Sequence, residues 1–313
     1  MFTNFPTERE VIRAWQSDCN TPLVTSVCIT YMHVDYIWAA LRGLIGQKTS
    51  FPFEIIIFDD FSTDGTRDII NAFAKRYPLI VKTVLPDENQ RSQGIKPLFD
   101  LVTPLCRGKY IACCDGDDYW SDTSKIQQQA SFMEQNTEYV FSSHSISTIN
   151  SNGELLDPDW LPDYYKKDFT EEEVTLVWSC VQLQSMMYRN VIMSIPDEMR
   201  KAPAGDVFFC SLLGHHGRSK YLPNIKPAMY RQHCGGEFST LSMSGRHDHQ
   251  SMIFYWLYRY YSRIGYTKEA RVFKLRYLER GLREVSLIDI ARLIYLRFRS
   301  SHAMRVLTVS SRS

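Results

Sequence analysis

Three carboxylates fall within four residues at Asp115-Gly116-Asp117-Asp118, directly after the apolar run 110–114. A short apolar run that breaks into a turn signal reads as a buried strand. Such a strand brings its C-terminal end to the edge of the sheet where open α/β folds bind ligands. Three acidic groups there repel one another unless positive charge sits among them. A divalent ion carrying phosphates supplies that charge, because Mg²⁺ and Mn²⁺ take hard oxygen ligands. A second acidic pair, Asp59-Asp60, closes the apolar run 53–58. Carboxylates at that position can accept hydrogen bonds from a nucleobase N–H or from ribose hydroxyls. The alternative for Asp115, Asp117 and Asp118 is a turn and a helix cap, both ordinary roles for Asp. For Asp60, Ser62 and Asp64 it is an N-cap and first helical turn.

The elements that must position these groups follow from periodicity. Residues 23–31 are rich in β-branched side chains and predict a first strand. Ile37, Leu41, Leu44 and Ile45 share one face of a helix over 36–46. A strand over 53–58, a helix over 66–77 and a strand over 79–85 come next. A polar loop over 87–97, carrying Gly94 and Lys96, leads to a helix over 98–106 and then to the acidic strand end. This βαβαβαβ order predicts a mostly parallel sheet with helices on both faces. Both acidic strand ends then lie on one edge. Further on, the pattern predicts a helix over 124–136, a strand over 139–149, a hairpin tip over 150–153 and a long acidic loop over 154–173. A short strand over 183–189 and a helix opened by Asp206 complete it.

The two motifs together carry a resemblance. Asp59-Asp60-Phe61-Ser62-Thr63-Asp64-Gly65-Thr66, followed later by Gly108-Lys109-Tyr110-Ile111-Ala112-Cys113-Cys114-Asp115-Gly116-Asp117-Asp118-Tyr119-Trp120, resembles the family 2 glycosyltransferases of the GT-A fold, of the bacterial polysaccharide type. The similarity is strong over 22–136 and fades toward 239. It implies a nucleotide-diphospho-sugar transferase with a Mn²⁺ or Mg²⁺ cofactor. Asp60, with Asp59, would contact base or ribose. Asp115 would approach ribose or sugar, and Asp117 would hold the metal. A UDP-sugar is the favoured donor, and a hydroxyl of a glycan or lipid-linked glycan the acceptor. Phe61 departs from the pattern, since the family often has Gly there.

The resemblance extends to three further positions. In the place of Asp206 the family carries an acidic general base, which an inverting displacement needs to take the proton of the attacking hydroxyl. Here Gly205-Asp206 stands where Glu-Asp is frequent, and the residues alone also fit a helix N-cap or first-turn Asp. Tyr230-Arg231-Gln232-His233 is similar to the family's Tyr-Arg-x-His loop. Arg231 would bind diphosphate and His233 would be a further metal ligand. By itself His233 also reads as a hydrogen-bonded loop residue. Lys96 reads either as a phosphate contact of the donor or as a solvated loop lysine.

Composition sets the outer bounds. The chain of 313 residues is 44% hydrophobic and 23% charged, ordinary for a globular protein. Its net charge of +1 offers no argument for a nucleic-acid partner. The charge is uneven: residues 259–313 hold 13 Lys/Arg against 4 Asp/Glu. Four regions are expected: a peripheral segment 1–20, a nucleotide-sugar half 21–120, an acceptor half 121–250 and a basic helical extension 251–313. The extension includes a helix over 287–298, which reads either as an interfacial helix drawn to anionic lipid or as a helix packed on protein. The eight cysteines have no zinc-ligand spacing, and the leading residues have no secretory pattern, so a reducing cytoplasm is expected. No run reaches the ~18 apolar residues of a membrane span. A dehydrogenase or a sugar nucleotidyltransferase would want a Gly-rich phosphate loop after the first strand, where this chain has Tyr31-Met32-His33-Val34-Asp35. A non-catalytic binding protein of the same fold is the rival from another class.

Overall fold

The computed structural model describes residues 5–16, 21–179, 182–235 and 242–282. Its contacts divide the chain into two units, Met1–Ser242 and Met243–Ser313.

The first unit opens with α1 (Glu8–Arg13), held by a capping box between Thr7 and Glu10. Then come β1 (Val24–Thr30), α2 (Ile37–Ile45), β2 (Phe53–Asp59), α3 (Thr66–Arg76), β3 (Val81–Val84) and β4 (Tyr110–Cys113). They are followed by α4 (Lys125–Gln135), β5 (Tyr139–Ser143), β6 (Ile146–Ile149), β7 (Leu155–Asp157), α5 (Glu171–Thr175) and β8 (Met187–Arg189). The unit ends with α6 (Asp197–Lys201), α7 (Gly205–Leu213), β9 (Arg218–Tyr221) and β10 (Ala228–Arg231).

Seven strands form one sheet in the order β3-β2-β1-β4-β8-β5-β9. All run the same way except β8, which lies antiparallel between β4 and β5. The chain builds outward from β1 through β2 to β3, then returns to place β4 on the other side of β1. The strand order therefore reverses at β1, and the crevice beyond its C-terminal end is where a ligand fits. β1, β2 and β4 are buried on both faces, which explains their near-continuous apolar runs. Ile37, Leu41, Leu44 and Ile45 of α2 join Val24, Ile55, Ile57 and Tyr110 in one core. Burying each such side chain contributes about 1.5–3 kcal/mol.

Four local expectations change. The strand over 183–189 is a 3-10 turn, Leu183–Ser185, followed by the shorter β8. The strand over 139–149 is two strands in two sheets. β5 belongs to the large sheet, while β6 pairs with β10 and β7 in a second, three-stranded sheet. Alternation along a strand reports its two faces and not its partner, so the corner at His144-Ser145 left no trace in the pattern. The helix over 98–106 is a π-turn, Leu98–Val102, running into a 3-10 turn, Thr103–Leu105. Pro104 lacks the N–H that an α-helix would use. The loop over 154–173 contains β7, and α5 begins at its end behind a Thr170–Glu173 capping box, a signature present in the sequence.

The second unit, as far as described, is α8 (Met243–Arg263) and α9 (Thr267–Leu282). They pack through Ile253, Leu257, Tyr261, Ala270 and Phe273, with the Tyr261 and Phe273 rings stacked at 5.6 Å. The helix expected over 287–298 lies outside the described residues. Among the described residues no helix is long and apolar enough to cross a membrane.

Candidate active site

Three loops meet at the switch point because they follow β1, β2 and β4. A fourth, after β10, is brought in by backbone pairing. Met229 N–H donates to Tyr119 O at 2.9 Å, and Tyr119 N–H donates to Met229 O at 3.2 Å. The second sheet is thereby fastened to the acidic loop.

That loop is seated on the end of β1. Gly116 N–H donates to Ile29 O at 2.8 Å. A Cβ at position 116 would lie 2.6 Å from Thr30 Cβ and 2.9 Å from His33 Nδ1. Only Gly allows this approach, which accounts for the middle residue of Asp115-Gly116-Asp117. Asp115 is exposed beside it. Asp117 faces two imidazoles: its Oδ2 lies 3.0 Å from His233 Nε2 and 3.7 Å from His33 Nε2. Burial works to raise the Asp117 pKa, but the His233 hydrogen bond and the His33 charge together hold it below the usual carboxylate range. Burial also lowers the His33 pKa, against the pull of Asp117, which favours the neutral ring. Asp118 is buried. Burial first, then the charges of Asp117 and Asp115, push its pKa well up, while Arg231 N–H donates to its Oδ1 at 2.8 Å.

Two groups of ligand atoms emerge within 4.8 Å of one another: His33, Asp117 and His233, and Asp115, Asp117 and Asp118. Carboxylate oxygens and imidazole nitrogens that converge in this way fit a divalent cation.

The remaining expected residues have definite places. Arg231 does not present a free fork to the crevice. Its Nε donates to Asp117 O at 2.9 Å, and its Nη1 to Asn150 O and Ser151 O at 3.0 and 3.2 Å. Its guanidinium covers the Tyr36 ring at 4.7 Å, and the Tyr36 ring lies 4.9 Å from that of His233. Arg231 therefore ties the acidic loop to the hairpin between β6 and β7. Asp59 is buried and accepts from Arg67 Nε at 2.7 Å and from Ser62 N–H at 2.9 Å. Asp60 accepts from Gln90 N–H at 2.6 Å and Arg91 N–H at 3.1 Å, so it pins the loop that carries Lys96. Asp64, just before the Gly65 N-cap of α3, accepts from Thr66 N–H and also from Val34 N–H, each at 3.0 Å.

Phe61 adopts φ +68°, the left-handed region that Gly prefers, at a cost of roughly 1–2 kcal/mol. The turn is kept nonetheless. Ser62 Oγ accepts from Met32 N–H at 2.7 Å, and the Arg67 guanidinium lies over the Phe61 ring at 5.2 Å.

Lys96 is half-buried, and its amine donates to Ala202 O at 2.7 Å and Pro203 O at 3.3 Å. It therefore fastens the entry of α7. Asp206 is half-buried in the first turn of α7, with Val207 N–H on its Oδ1 at 2.8 Å; the N-cap is Ala204. A cavity of about 250 Å³ beside Ala202 and Pro203 is lined by Arg91, Lys96, Arg200 and Lys201, and Asp206 is not part of its lining.

The structure thus brings together Asp115, Asp117, Asp118, Arg231 and His233, and adds His33, Thr30 and Tyr36. His33 carried one legible signal: it follows the first strand directly, on the edge that the acidic motifs share. Nothing in its spacing linked it to Asp117, 84 positions away in the chain.

A sequence profile of glycosyl transferase family 2 matches residues 26–195. Among curated proteins, the uncharacterized protein Rv1520 of Mycobacterium tuberculosis is 35% identical over 163 residues, 52% of this chain and 46% of that one. The Escherichia coli UDP-Glc:alpha-D-GlcNAc-diphosphoundecaprenol beta-1,3-glucosyltransferase WfaP is 38% identical over 123 residues, 39% of this chain and 45% of that one. The chain spans about half the length of the curated relatives it matches. Among solved structures, residues 1–349 of S. aureus TarS in complex with UDP-GlcNAc give a TM-score of 0.59 at 16% identity, over 85% of this chain and 77% of that one. The mannosyltransferase PcManGT from Pyrobaculum calidifontis, in complex with GDP-Man and Mn²⁺, gives 0.58 at 14% identity, over 94% and 86%. At these identities the likeness is one of fold.

Proposed function

The chain belongs to glycosyl transferase family 2 and has the GT-A fold, and from that premise we propose that it transfers a sugar, with inversion, from a nucleoside-diphosphate sugar to a hydroxyl of a glycan or lipid-linked glycan. The observation that carries the reading is that Asp117 converges with His33 and His233 on one side and with Asp115 and Asp118 on the other, at the switch point of the sheet. A divalent cation, Mn²⁺ or Mg²⁺, held by Asp117 and His233 would supply positive charge to the departing diphosphate.

Asp115, exposed at the strand end, meets ribose or sugar hydroxyls. Asp60 and Asp59 shape the nucleoside side by holding the loops at 61–66 and 89–91, so their action on the donor is positioning. Arg231 fixes the acidic loop, and Lys96 fixes the entry of α7. Asp206 takes the proton of the acceptor hydroxyl as its oxygen bonds to the anomeric carbon. The bond from that carbon to the diphosphate oxygen breaks, and the nucleoside diphosphate leaves. A placed carboxylate base is worth ~10²–10⁴-fold in such a step.

A UDP-sugar donor is favoured because WfaP is named for UDP-Glc. WfaP is also named for a diphosphoundecaprenol-linked acceptor, which supports a lipid-linked glycan and a site of action at a membrane surface. Peripheral contact through the basic C-terminal helices accords with that site. Flotation of vesicles with and without residues 285–313 tests it; equal soluble recovery of both forms removes it.

Calorimetry of UDP, GDP and dTDP, each with and without Mn²⁺, tests the central reading on the native chain and on Asp117→Ala. Manganese-dependent binding of one nucleotide, lost in the variant, is expected. Binding of none would overturn the transferase reading in favour of a non-catalytic protein of the same fold.

A further inference from the structure

His33 has no part in the reading above, yet its ring is one of three that meet at Asp117. We propose that His33 is a third protein ligand of the divalent cation, and that the resulting His33–Asp117–His233 set favours Mn²⁺ over Mg²⁺. The proposal rests on the reading of this site as a cation-dependent transferase centre.

Distance is the first argument. His33 Nε2 and His233 Nε2 lie 3.7 and 3.0 Å from the same oxygen, Asp117 Oδ2. All three ligand atoms fall within 4.8 Å of one another. Atoms bound to one first-row ion at about 2.0–2.2 Å stand roughly 3–4 Å apart.

Orientation is the second. The other ring nitrogen, His33 Nδ1, lies 3.0 Å from Thr30 Oγ1. When Nδ1–H donates to that hydroxyl, the lone pair of Nε2 is left facing Asp117. Ligating histidines are held by an outer partner in this way. The backbone is held as well: His33 N–H donates to Thr66 Oγ1 and Val34 N–H to Asp64 Oδ2, each at 3.0 Å. The Ser62–Thr66 turn thus has a use that base or ribose contact does not explain, since it fixes the position of His33.

Donor chemistry is the third. Two imidazoles and one carboxylate, with other positions open, suit a first-row transition ion. Mg²⁺ prefers carboxylates, phosphates and retained water.

The test uses the full chain and Mn²⁺ alone, followed by electron paramagnetic resonance. Loss of the free-ion signal gives affinity, and the pulsed experiment counts coordinated imidazole nitrogens. Two are expected in the native chain, and one each in His33→Gln and His233→Gln. Each variant should bind Mn²⁺ at least tenfold more weakly. Competition with Mg²⁺ should show that His33→Gln loses more affinity for Mn²⁺ than for Mg²⁺; equal losses overturn the preference. A single imidazole in the native chain that disappears in His233→Gln overturns the assignment of His33 and leaves Asp117 and His233 standing. Neither spectrum depends on how His33→Gln folds. Native Mn²⁺ affinity in Asp117→Ala would instead remove the cation reading of the whole site.

Discussion

Gly116→Ala probes how the strand ends build the site. A Cβ there would lie 2.6 Å from Thr30 Cβ and 2.9 Å from His33 Nδ1, and closer still to Thr30 Oγ1. Carbon contacts relax only at about 3.5–4.0 Å, so the acidic loop must move by about 1 Å from the end of β1. Overpacking of this kind costs about 1–3 kcal/mol. For a unit of this size that lowers Tm by about 2–4 °C per kcal/mol. The larger effect falls on the cation, because ligand distances tolerate only about 0.2 Å and Asp117 is one residue away. Mn²⁺ affinity should fall more than tenfold, and transfer by about 10²-fold, the usual penalty of a 1 Å misplacement. The clash also predicts its own relief. Thr30→Ala keeps the obstructing Cβ and should not rescue Gly116→Ala. Thr30→Gly removes both threonine contacts and should shrink the penalty of Gly116→Ala measured in that background. Calorimetric melting and Mn²⁺ titration of the three single and two double variants supply the measurement. Native Tm and native Mn²⁺ affinity in Gly116→Ala would refute the reasoning.

Three further outcomes are expected. Asp206→Asn should lower transfer by ~10²–10⁴-fold while nucleotide binding stays native; loss of nucleotide binding instead would make Asp206 a donor contact. Lys125 is buried, with its amine on Gln129 Oε1 at 2.7 Å and over the Trp120 ring at 4.3 Å, and burial depresses its pKa to about 7. The unfolded chain then holds the extra proton between about pH 7 and 10.5, so Lys125 adds up to ~1.4 kcal/mol of stability per pH unit as pH rises through that window. Lys125→Met should remove that slope in urea denaturation, and parallel curves for both chains would contradict it. Glu54 is buried and accepts from Thr25 Oγ1, Arg107 N–H and Arg107 Nε, each at 2.8 Å, and from Lys82 Nζ at 3.2 Å. Burial opposes ionisation, but these donors hold its pKa below the usual value. Its contribution is therefore present above pH ~4.5 and lost as pH falls through the depressed folded value. Glu54→Gln should cost about 1.5–3 kcal/mol at pH 7, with the two chains converging in acid; a constant difference down to pH 3 would show that the charge is not what matters.

How much of this was legible depended on range in the chain. The strands ending at Thr30, Asp59 and Cys113, and the helices between them, follow from runs and periods that any local window contains. Their order determines a parallel sheet and puts Asp59, Asp60, Asp115 and Asp117 on one edge. The Asp-Gly-Asp spacing already spoke for a cation. What the side chains at that edge do was not legible. Asp59 and Asp60 read as ligand contacts in sequence, and the partners that the structure gives their carboxylates, Ser62, Arg67, Gln90 and Arg91, were not legible there. Arg231 looks like a phosphate fork, but it donates to the carbonyls of Asp117, Asn150 and Ser151.

These partners are set by packing between segments far apart in the chain, which periodicity does not encode. The same holds for the split of 139–149 into two sheets, for the antiparallel insertion of β8, and for His33. By itself the sequence determined the fold class, the shared edge and the acidic residues on it, because hydrophobic burial and strand order act through local pattern. Only the tertiary structure decided which carboxylates face the crevice and which are engaged in holding loops, because that depends on which distant backbone amides and guanidinium groups arrive beside them.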